Sequence, residues 1–510
     1  MRRGRLSGAP TSDNVIYMAG GARLFAAFES GGVGGMVRAY MQHSPHSPYA
    51  EVLACLSFVV FGVRDAAPSL ASVLVPLLGL GWCLRLARGA PLSVAALLLV
   101  AVAAVPIWTW SIEVFKPDYF ASLTTAVAVT ILLGRPAKSS RRSSLMLAGV
   151  MLGLAIWSKP TFLPATLAYS GAAFLLGRFM AGSRRPARSF VRSAVMVAAP
   201  AVIIAGPHLC LVWKTESEYF WRQFAGASAE SWRFHGTLWQ HFTYYLTGPS
   251  GSVLLGRGLW PLGGSILLVA GAVCWRFSFA AVRRGFPWFL CLLLSFAIPT
   301  VARMKVTEFA CTFDFLLLFA FVRSIATLAR VRRRAFPGFP VALAASALAA
   351  AGCIALFRWT IPLSPILLQN SSRPTLPEQA IVARDVFDAV ERAAGGRPTS
   401  VLILGPRGVI NHNLFAYWSV RDRNHLSTSL VRKALSEADL ANRLSAVDIL
   451  VASDGSTSMT EPESEAGLSR HLLEHITANR EWNECARVSV PGTEGHFFVF
   501  ARQPPNRTSP

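Results

Sequence analysis

The chain has 510 residues, 53% of them apolar, a mean hydropathy of +0.43 and only 15% charged residues. Ordinary soluble domains carry about 25% charge, so this balance excludes a lone soluble domain or a disordered chain and predicts a polytopic membrane protein with soluble mass attached. Lys and Arg total 49 against 27 Asp and Glu, a formal +22, but the excess lies between apolar runs and not on a compact domain, which excludes nucleic-acid binding as its purpose.

Residues 1–10 hold Arg2, Arg3 and Arg5 and no hydrophobic core, so they do not read as a signal peptide. Ser12-Asp13-Asn14-Val15-Ile16-Tyr17 reads as a cap ahead of a helical stretch. The segment His43-Ser44-Pro45-His46-Ser47-Pro48-Tyr49 reads as a rigid loop. The run 49–63 is short for a crossing. It is either an eleventh span or an amphipathic helix on the membrane surface. Spans are expected at 67–88, 91–110, 118–134, 144–158, 161–178, 190–213, 253–275, 285–301, 306–329 and 338–357. Each approaches the ~20 residues that carry a helix across a bilayer with its backbone groups satisfied.

The connectors alternate in charge. Residues 85–88, 135–142, 178–192, 276–284 and 323–334 together hold 19 basic residues and no acidic one. The connectors between them mix Lys116, Lys159, Lys214, Arg233, Arg303 and Lys305 with Glu113, Asp118, Glu216, Glu218 and Glu308. This is the positive-inside pattern. It places the basic loops in the cytoplasm, the mixed loops outside, and the tail beyond residue 358 outside as well. From Arg358 onward the chain carries 16 basic and 16 acidic residues. Strands are expected at 401–404 and 447–451, helices at 378–394, 429–444 and 464–478, and a hairpin from 488–490 and 496–501 around Pro491-Gly492. The expected organisation is a first extracytoplasmic loop with juxtamembrane helices (1–66), a transmembrane domain (67–358) and a small α/β domain (359–510). Gly405-Pro406-Arg407-Gly408 lacks the spacing of a nucleotide loop and reads as a plain strand-to-helix turn. Seven of the eight cysteines lie in or beside apolar segments and read as small buried residues, with no metal-binding pair.

Polar groups in or beside spans are costly and therefore candidates for function. Asp118, after Lys116-Pro117, sits at the outer start of a span, where an N-terminal carboxylate is also favourable structurally. Lys159, in Trp157-Ser158-Lys159-Pro160, lies at a tight outer turn; a snorkelling lysine is the structural alternative. Arg303 and Lys305 place two cations on one short outer connector, against the charge bias, which suits an anionic ligand. Asp314 falls inside a span and is expected to pair with a nearby cation. Residues 214–250 form an expected outer loop whose aromatics, Trp221, Trp232, Trp239, Tyr244 and Tyr245, read first as an interface belt and second as a stacking surface for a sugar or lipid.

Taken in order, these segments resemble the GT-C integral-membrane glycosyltransferases, and within them the family-39-like branch that includes protein mannosyltransferases and the lipid A aminoarabinose transferase. The matching pieces are Ser12 to Tyr17, His46-Ser47-Pro48-Tyr49, Lys116-Pro117-Asp118, Gly149-Val150-Met151-Leu152-Gly153-Leu154-Ala155 with Lys159, and Arg303 to Phe309. The resemblance implies a membrane helix ahead of Ser12, so the expectation is a start placed downstream of the true one. It also implies a polyprenyl-phosphate-linked sugar as donor and an envelope lipid, glycan or protein as acceptor. Asp13 matches the first-loop carboxylate, with Asn14 where the family often has a second acid, and is expected as the base. Asp118 is the supporting or alternative carboxylate. Lys159, Arg303, Lys305 and His46 are expected at the donor phosphate. No cofactor is certain, and a divalent cation stays open. The rival expectations are a lipid or solute transporter and a non-catalytic envelope-assembly partner. Candidate residues at outer span ends, away from the midplane sites of transporters, favour the enzyme.

Overall fold

The computed structural model describes residues 13–43, 46–103, 105–134, 141–180, 187–224, 233–255, 263–264, 279–302, 305–332, 377–404, 410, 412–422, 426–431, 437–454, 473–479, 481–490 and 495–503. The chain divides into two units, one of residues 1–39, 51–70 and 371–510, the other of 40–50 and 71–370.

In the order of the chain, α1 covers Asp13–His43, α2 Pro48–Phe61, α3 Ala67–Ala71, α4 Leu74–Ala87, α5 Leu92–Ala103, α6 Ile107–Glu113, α7 Pro117–Leu133, α8 Arg141–Ser158, α9 Leu163–Met180, α10 Ala187–Phe224, α11 Leu238–Thr243, α12 Pro249–Leu254, α13 Phe279–Val301 and α14 Cys311–Arg332. Among the described residues three helical stretches are long and apolar enough to cross a membrane: Ala67–Ala87, Ser189–Trp221 and Thr307–Thr327. Pro48–Phe61, Leu92–Ala103, Pro117–Leu133, Arg142–Ser158 and Phe286–Val301 are shorter apolar helices. The expected span 338–357, and all but residues 253–255 and 263–264 of 253–275, lie outside the described residues.

The second unit is built around α7. Pro117 stands at its first turn, where a missing N–H costs nothing. Every residue from Pro117 to Leu133 except Ile131 is buried. Two of its hydroxyls bond back within the helix: Thr124 donates to the Phe120 carbonyl at 2.8 Å, and Thr130 to that of Val127 at 2.8 Å. The Trp82 indole donates to Thr130 Oγ1 at 2.9 Å. Helices α8 and α10 pack closely because Gly153 has no side chain. A Cβ there would lie 2.9 Å from Ile204 Cβ and 3.0 Å from Ala201 Cα.

Two expectations change here. The run 91–110 is not one helix but α5 and α6, broken beside Pro106, which stands at the N-cap of α6 and has no N–H to continue a ladder. And α10 runs on to Phe224, so the first part of the expected outer loop 214–250 is helical. No glycine or proline interrupts it between Pro207 and Gly226, and Lys214, Glu216 and Glu218 are good helix formers.

In the first unit, α1 bends at Gly31 and Gly32, where Gly32 takes φ 58° and ψ −153°, a conformation open to glycine and costly for other residues. Gly21 lets α2 approach. A Cβ there would lie 3.0 Å from the Cys55 nitrogen and the Glu51 carbonyl. The tail contributes α15 (Pro377–Ala394), α16 (His412–Arg421), α17 (Glu437–Ser445) and five strands: β1 Thr399–Leu404, β2 Leu426–Val431, β3 Ile449–Ser453, β4 Trp482–Ser489 and β5 His496–Arg502. The strand order is β2-β1-β3-β5-β4. The first three are parallel, while β5 is antiparallel to β3 and to β4. Leu402, Leu404, Leu450, Trp482 and Phe500 centre one core. The expected helix 429–444 is corrected at its start. Leu426-Ser427-Thr428-Ser429-Leu430-Val431 pairs with β1 as an edge strand, and the helix begins at Glu437. Of the expected helix 464–478, residues 473–478 are described and are helical; Gly405–Gly408 and Pro491-Gly492 lie outside the described residues. Tyr417 and Arg421 of α16 both donate to Asp65 Oδ1 at 3.0 Å, fixing the tail to the connector after α2.

Candidate functional site

The site is built at the N-terminus of α7. Lys116, in extended conformation (φ −127°, ψ 140°), is the N-cap, and Asp118 lies in the first turn. Its carboxylate turns sideways to the 158–160 turn, where Lys159 Nζ donates to Asp118 Oδ1 at 2.5 Å. Both partners are largely removed from solvent, with side-chain exposures of 17% for Lys159 and 4% for Asp118. Lys159 is held at the N-cap of a short turn, Pro160–Phe162, and its N–H bonds to the Ala155 carbonyl at 3.2 Å.

A second pair flanks the first. Lys116 Nζ donates to Glu308 Oε1 at 2.9 Å, with exposures of 15% and 8%. Glu308 comes from the 3₁₀ turn Thr307–Ala310 that leads into α14. Ser250 Oγ donates to the Thr307 carbonyl at 2.8 Å and pins that turn to α12. Four alternating charges therefore sit around one helix end, each with a partner, and leave no net charge.

The His46 segment docks on the same turn. Ser47, fully buried, donates from Oγ to the Ser158 carbonyl at 2.7 Å. The Tyr49 ring stacks on Phe120, one turn into α7, with centroids 4.0 Å apart and planes 6° from parallel. His46 Nδ1 lies 2.7 Å from Glu216 Oε1 on α10, and its ring meets Tyr219 edge-on at 4.9 Å. Tyr40 and His208 make a similar bridge at 2.8 Å.

Lys305 lies on the connector before the Glu308 turn. It donates to the Pro299 and Thr300 carbonyls at 2.9 and 2.5 Å, at the negative end of α13. Its ammonium lies 5.2 Å from the centroid of the buried Tyr245 ring. Burial pushes its pKa down to about 8. Arg303 lies outside the described residues. Asp13 is the first residue of α1.

The structure thus brings Asp118 and Lys159 into contact and sets His46 and Lys305 on elements that pack around them. Sequence reasoning missed Lys116 with Glu308, and Glu216 as the partner of His46. The signal was present, because paired opposite charges on connectors 192 and 170 residues apart are what a buried charge requires. The pairing itself is not readable from spacing. Among the described residues Asp314 has no cation partner. Both its carboxyl oxygens are buried without a hydrogen-bond partner, as is the Tyr119 hydroxyl. Further out, Arg233, Phe234, His235, Gly236, Thr237, Gln240 and His241 line a cavity of about 540 Å³. Its edge carries the exposed Leu238 and Trp239, and Trp221 is exposed as well. Among the described residues no three His, Cys, Asp or Glu side chains come together as a metal site.

The fold that carries this site is similar to that of several solved structures. The chain superposes on ArnT from Cupriavidus metallidurans in the apo state with a TM-score of 0.61 at 13% identity, covering 98% of this chain and 96% of that one. The same protein bound to undecaprenyl phosphate gives a TM-score of 0.58 at 14% identity over 98% and 96%. The archaeal oligosaccharyltransferase AglB from Archaeoglobus fulgidus, in complex with an inhibitory peptide and a dolichol-phosphate, gives 0.51 at 12% identity over 99% of this chain and 71% of that one. No family model matches the chain, and no curated sequence does.

Proposed function

We propose that the chain is a membrane glycosyltransferase that moves a hexosyl or pentosyl group from a polyprenyl-phosphate donor to an acceptor hydroxyl of an envelope lipid, polysaccharide or protein. The reading places the reaction and the tail domain on the extracytoplasmic face of the inner or plasma membrane. One observation carries it. A carboxylate and a lysine, Asp118 and Lys159, meet at the N-terminal end of an apolar helix, where a lipid-borne phosphate and a water-borne acceptor can both arrive. The likeness in fold to ArnT bound to undecaprenyl phosphate supports the donor class.

The chemistry asks for two things. The phosphate leaves well as an anion, so it needs cations where its charge grows, and Lys159, with Lys305 and Arg303 on the neighbouring connector, supplies them. The acceptor hydroxyl needs a base, a role worth about 10²–10⁴ in rate, and a carboxylate, Asp118 or Asp13, supplies it. His46, held by Glu216, is a further group for the donor phosphate. One displacement inverts the anomeric carbon, by the same logic as one-base inverting glycosidases. The test is transfer of labelled sugar from a panel of polyprenyl-phosphate donors in membranes holding the protein. Inverted product is expected, and a folded protein inert toward every donor would overturn the proposal.

A further inference from the structure

We infer that Lys159 exchanges counter-ions during the reaction: the phosphate of the arriving donor displaces Asp118 from the lysine ammonium, and the released carboxylate is the base that takes the acceptor's proton. This rests on the glycosyltransferase reading and specifies how its site works.

The argument begins with the contact. At 2.5 Å Lys159 Nζ and Asp118 Oδ1 form a tight charge-assisted bond. In that state neither can do its part. The lysine has a counter-ion already, and the carboxylate oxygen already accepts a strong donor. A site with separate phosphate and base groups would leave both free, whereas here each is held by the other. The exposures give the exchange a direction. Lys159 keeps 17% of its side chain open and Asp118 only 4%, so an anion coming from the lipid meets the lysine first.

The surroundings let the lysine turn without moving its backbone. Lys159 is fixed by its own N–H bond to Ala155, and the preceding carbonyl, that of Ser158, accepts from Ser47 at 2.7 Å. Only the flexible side chain has to rotate. Asp118 also has somewhere to remain. It stands in the first turn of α7, where unpaired backbone N–H groups and the helix field favour a negative charge. Lys116, paired with Glu308 at 2.9 Å, also places positive charge beside Asp118 and favours the carboxylate staying where it is. The arriving phosphate therefore changes the state of Asp118 without removing it from the site.

The step balances as follows. The donor is a phosphodiester carrying one negative charge. The acceptor oxygen bonds to the anomeric carbon as the bond from that carbon to the phosphate oxygen breaks. The bonding pair stays on that oxygen, so polyprenyl phosphate leaves with two negative charges. The acceptor's proton passes to the Asp118 carboxylate. Lys159 thus faces an anion that gains charge along the reaction, and it binds the transition state more strongly than the bound donor. Departure of the phosphate restores the Lys159–Asp118 pair once Asp118 has lost its proton to solvent.

The test uses the full chain in lipid nanodiscs, with undecaprenyl phosphate as the non-reacting probe and a sugar-loaded polyprenyl phosphate for turnover. Asp118→Asn removes the ion that competes for Lys159. It is expected to bind undecaprenyl phosphate at least about tenfold more tightly than wild type, given the coupling measured for close charge pairs, while turnover falls by about 10² or more. Lys159→Gln is expected to lose both binding and turnover. Should Asp118→Asn not be recovered folded, Asp118→Leu removes the same charge and carries the same expectation. Unchanged or weaker phosphate binding in the Asp118 variants, or retained turnover, overturns the exchange while wild-type transfer leaves the glycosyltransferase reading in place. Wild-type protein that neither binds undecaprenyl phosphate nor transfers sugar overturns both.

Discussion

The Lys116–Glu308 pair gives the sharpest test of how the site is held together. Its atoms are 2.9 Å apart, with 15% and 8% of the side chains exposed. At an effective dielectric constant of about 20, two charges at that distance attract by about 6 kcal/mol. Desolvation offsets much of this, so the net value of the pair is small. The cost of breaking it is not. Glu308→Gln takes this counter-ion from Lys116 at the end of α7, and removing one member of a buried pair costs about 3–5 kcal/mol. The residual exposure of Lys116 places the expected loss near the lower figure. Removing both, as Lys116→Met with Glu308→Leu, is expected to recover most of it, because well-packed apolar replacements of buried pairs are often neutral. Reversible unfolding in mixed micelles measures each value. If Glu308→Gln costs less than about 0.5 kcal/mol, the size expected of an exposed pair, then this pair does not hold the Glu308 turn to α7 and the reasoning fails.

Other consequences follow from the same geometry. Gly153→Leu drives a side chain into Ile204 and Ala201 of α10 and is expected to cost at least about 1–3 kcal/mol, read by the same unfolding assay. Lys305, with its pKa near 8, is a cation below that pH and neutral above it. Affinity for a polyprenyl phosphate is therefore expected to fall as pH rises through 8 and to lose this dependence in Lys305→Met. In the tail, burial alone would raise the Asp422 carboxyl, but hydrogen bonds and charge from Arg421 and Arg384 outweigh it and hold the group below its ordinary range. The sign follows: this stabilisation is present above about pH 4, the ordinary value, and is lost as pH falls through the lower folded value. Arg421→Ala is expected to speed proteolysis of the tail at neutral pH, since it strips donors from both Asp65 and Asp422.

Much of the fold was legible because burial in lipid leaves a coarse signal. Runs near 20 apolar residues and the alternation of basic and mixed loops define a polytopic chain before any contact is known. The order β1, β3 and the terminal hairpin could be read from short apolar runs. Strand β2 could not, because Leu-Ser-Thr-Ser-Leu-Val is polar at an edge and its alternation sits beside a stronger helical signal. The break at Pro106 was hidden by the apolar character on both sides of it. At the site, Asp118 and Lys159 were legible singly, as costly residues at outer span ends. Their contact was not, since 41 residues separate them and only the packing of α7 against α8 brings them together. Glu216 and Glu308 looked like ordinary loop acids, whereas the structure buries both, one against His46 and the other against Lys116.

Transfer itself tests the central claim most directly. Membranes containing the wild-type chain, and membranes containing Asp118→Asn, Asp13→Ala or Lys159→Gln, are supplied with radiolabelled polyprenyl-phosphate sugars, and the linkage of the product is determined. The account predicts transfer with inversion by wild type, and a fall of about 10²–10⁴ when the base is removed. Well-inserted wild-type protein that transfers no sugar from any such donor would contradict it.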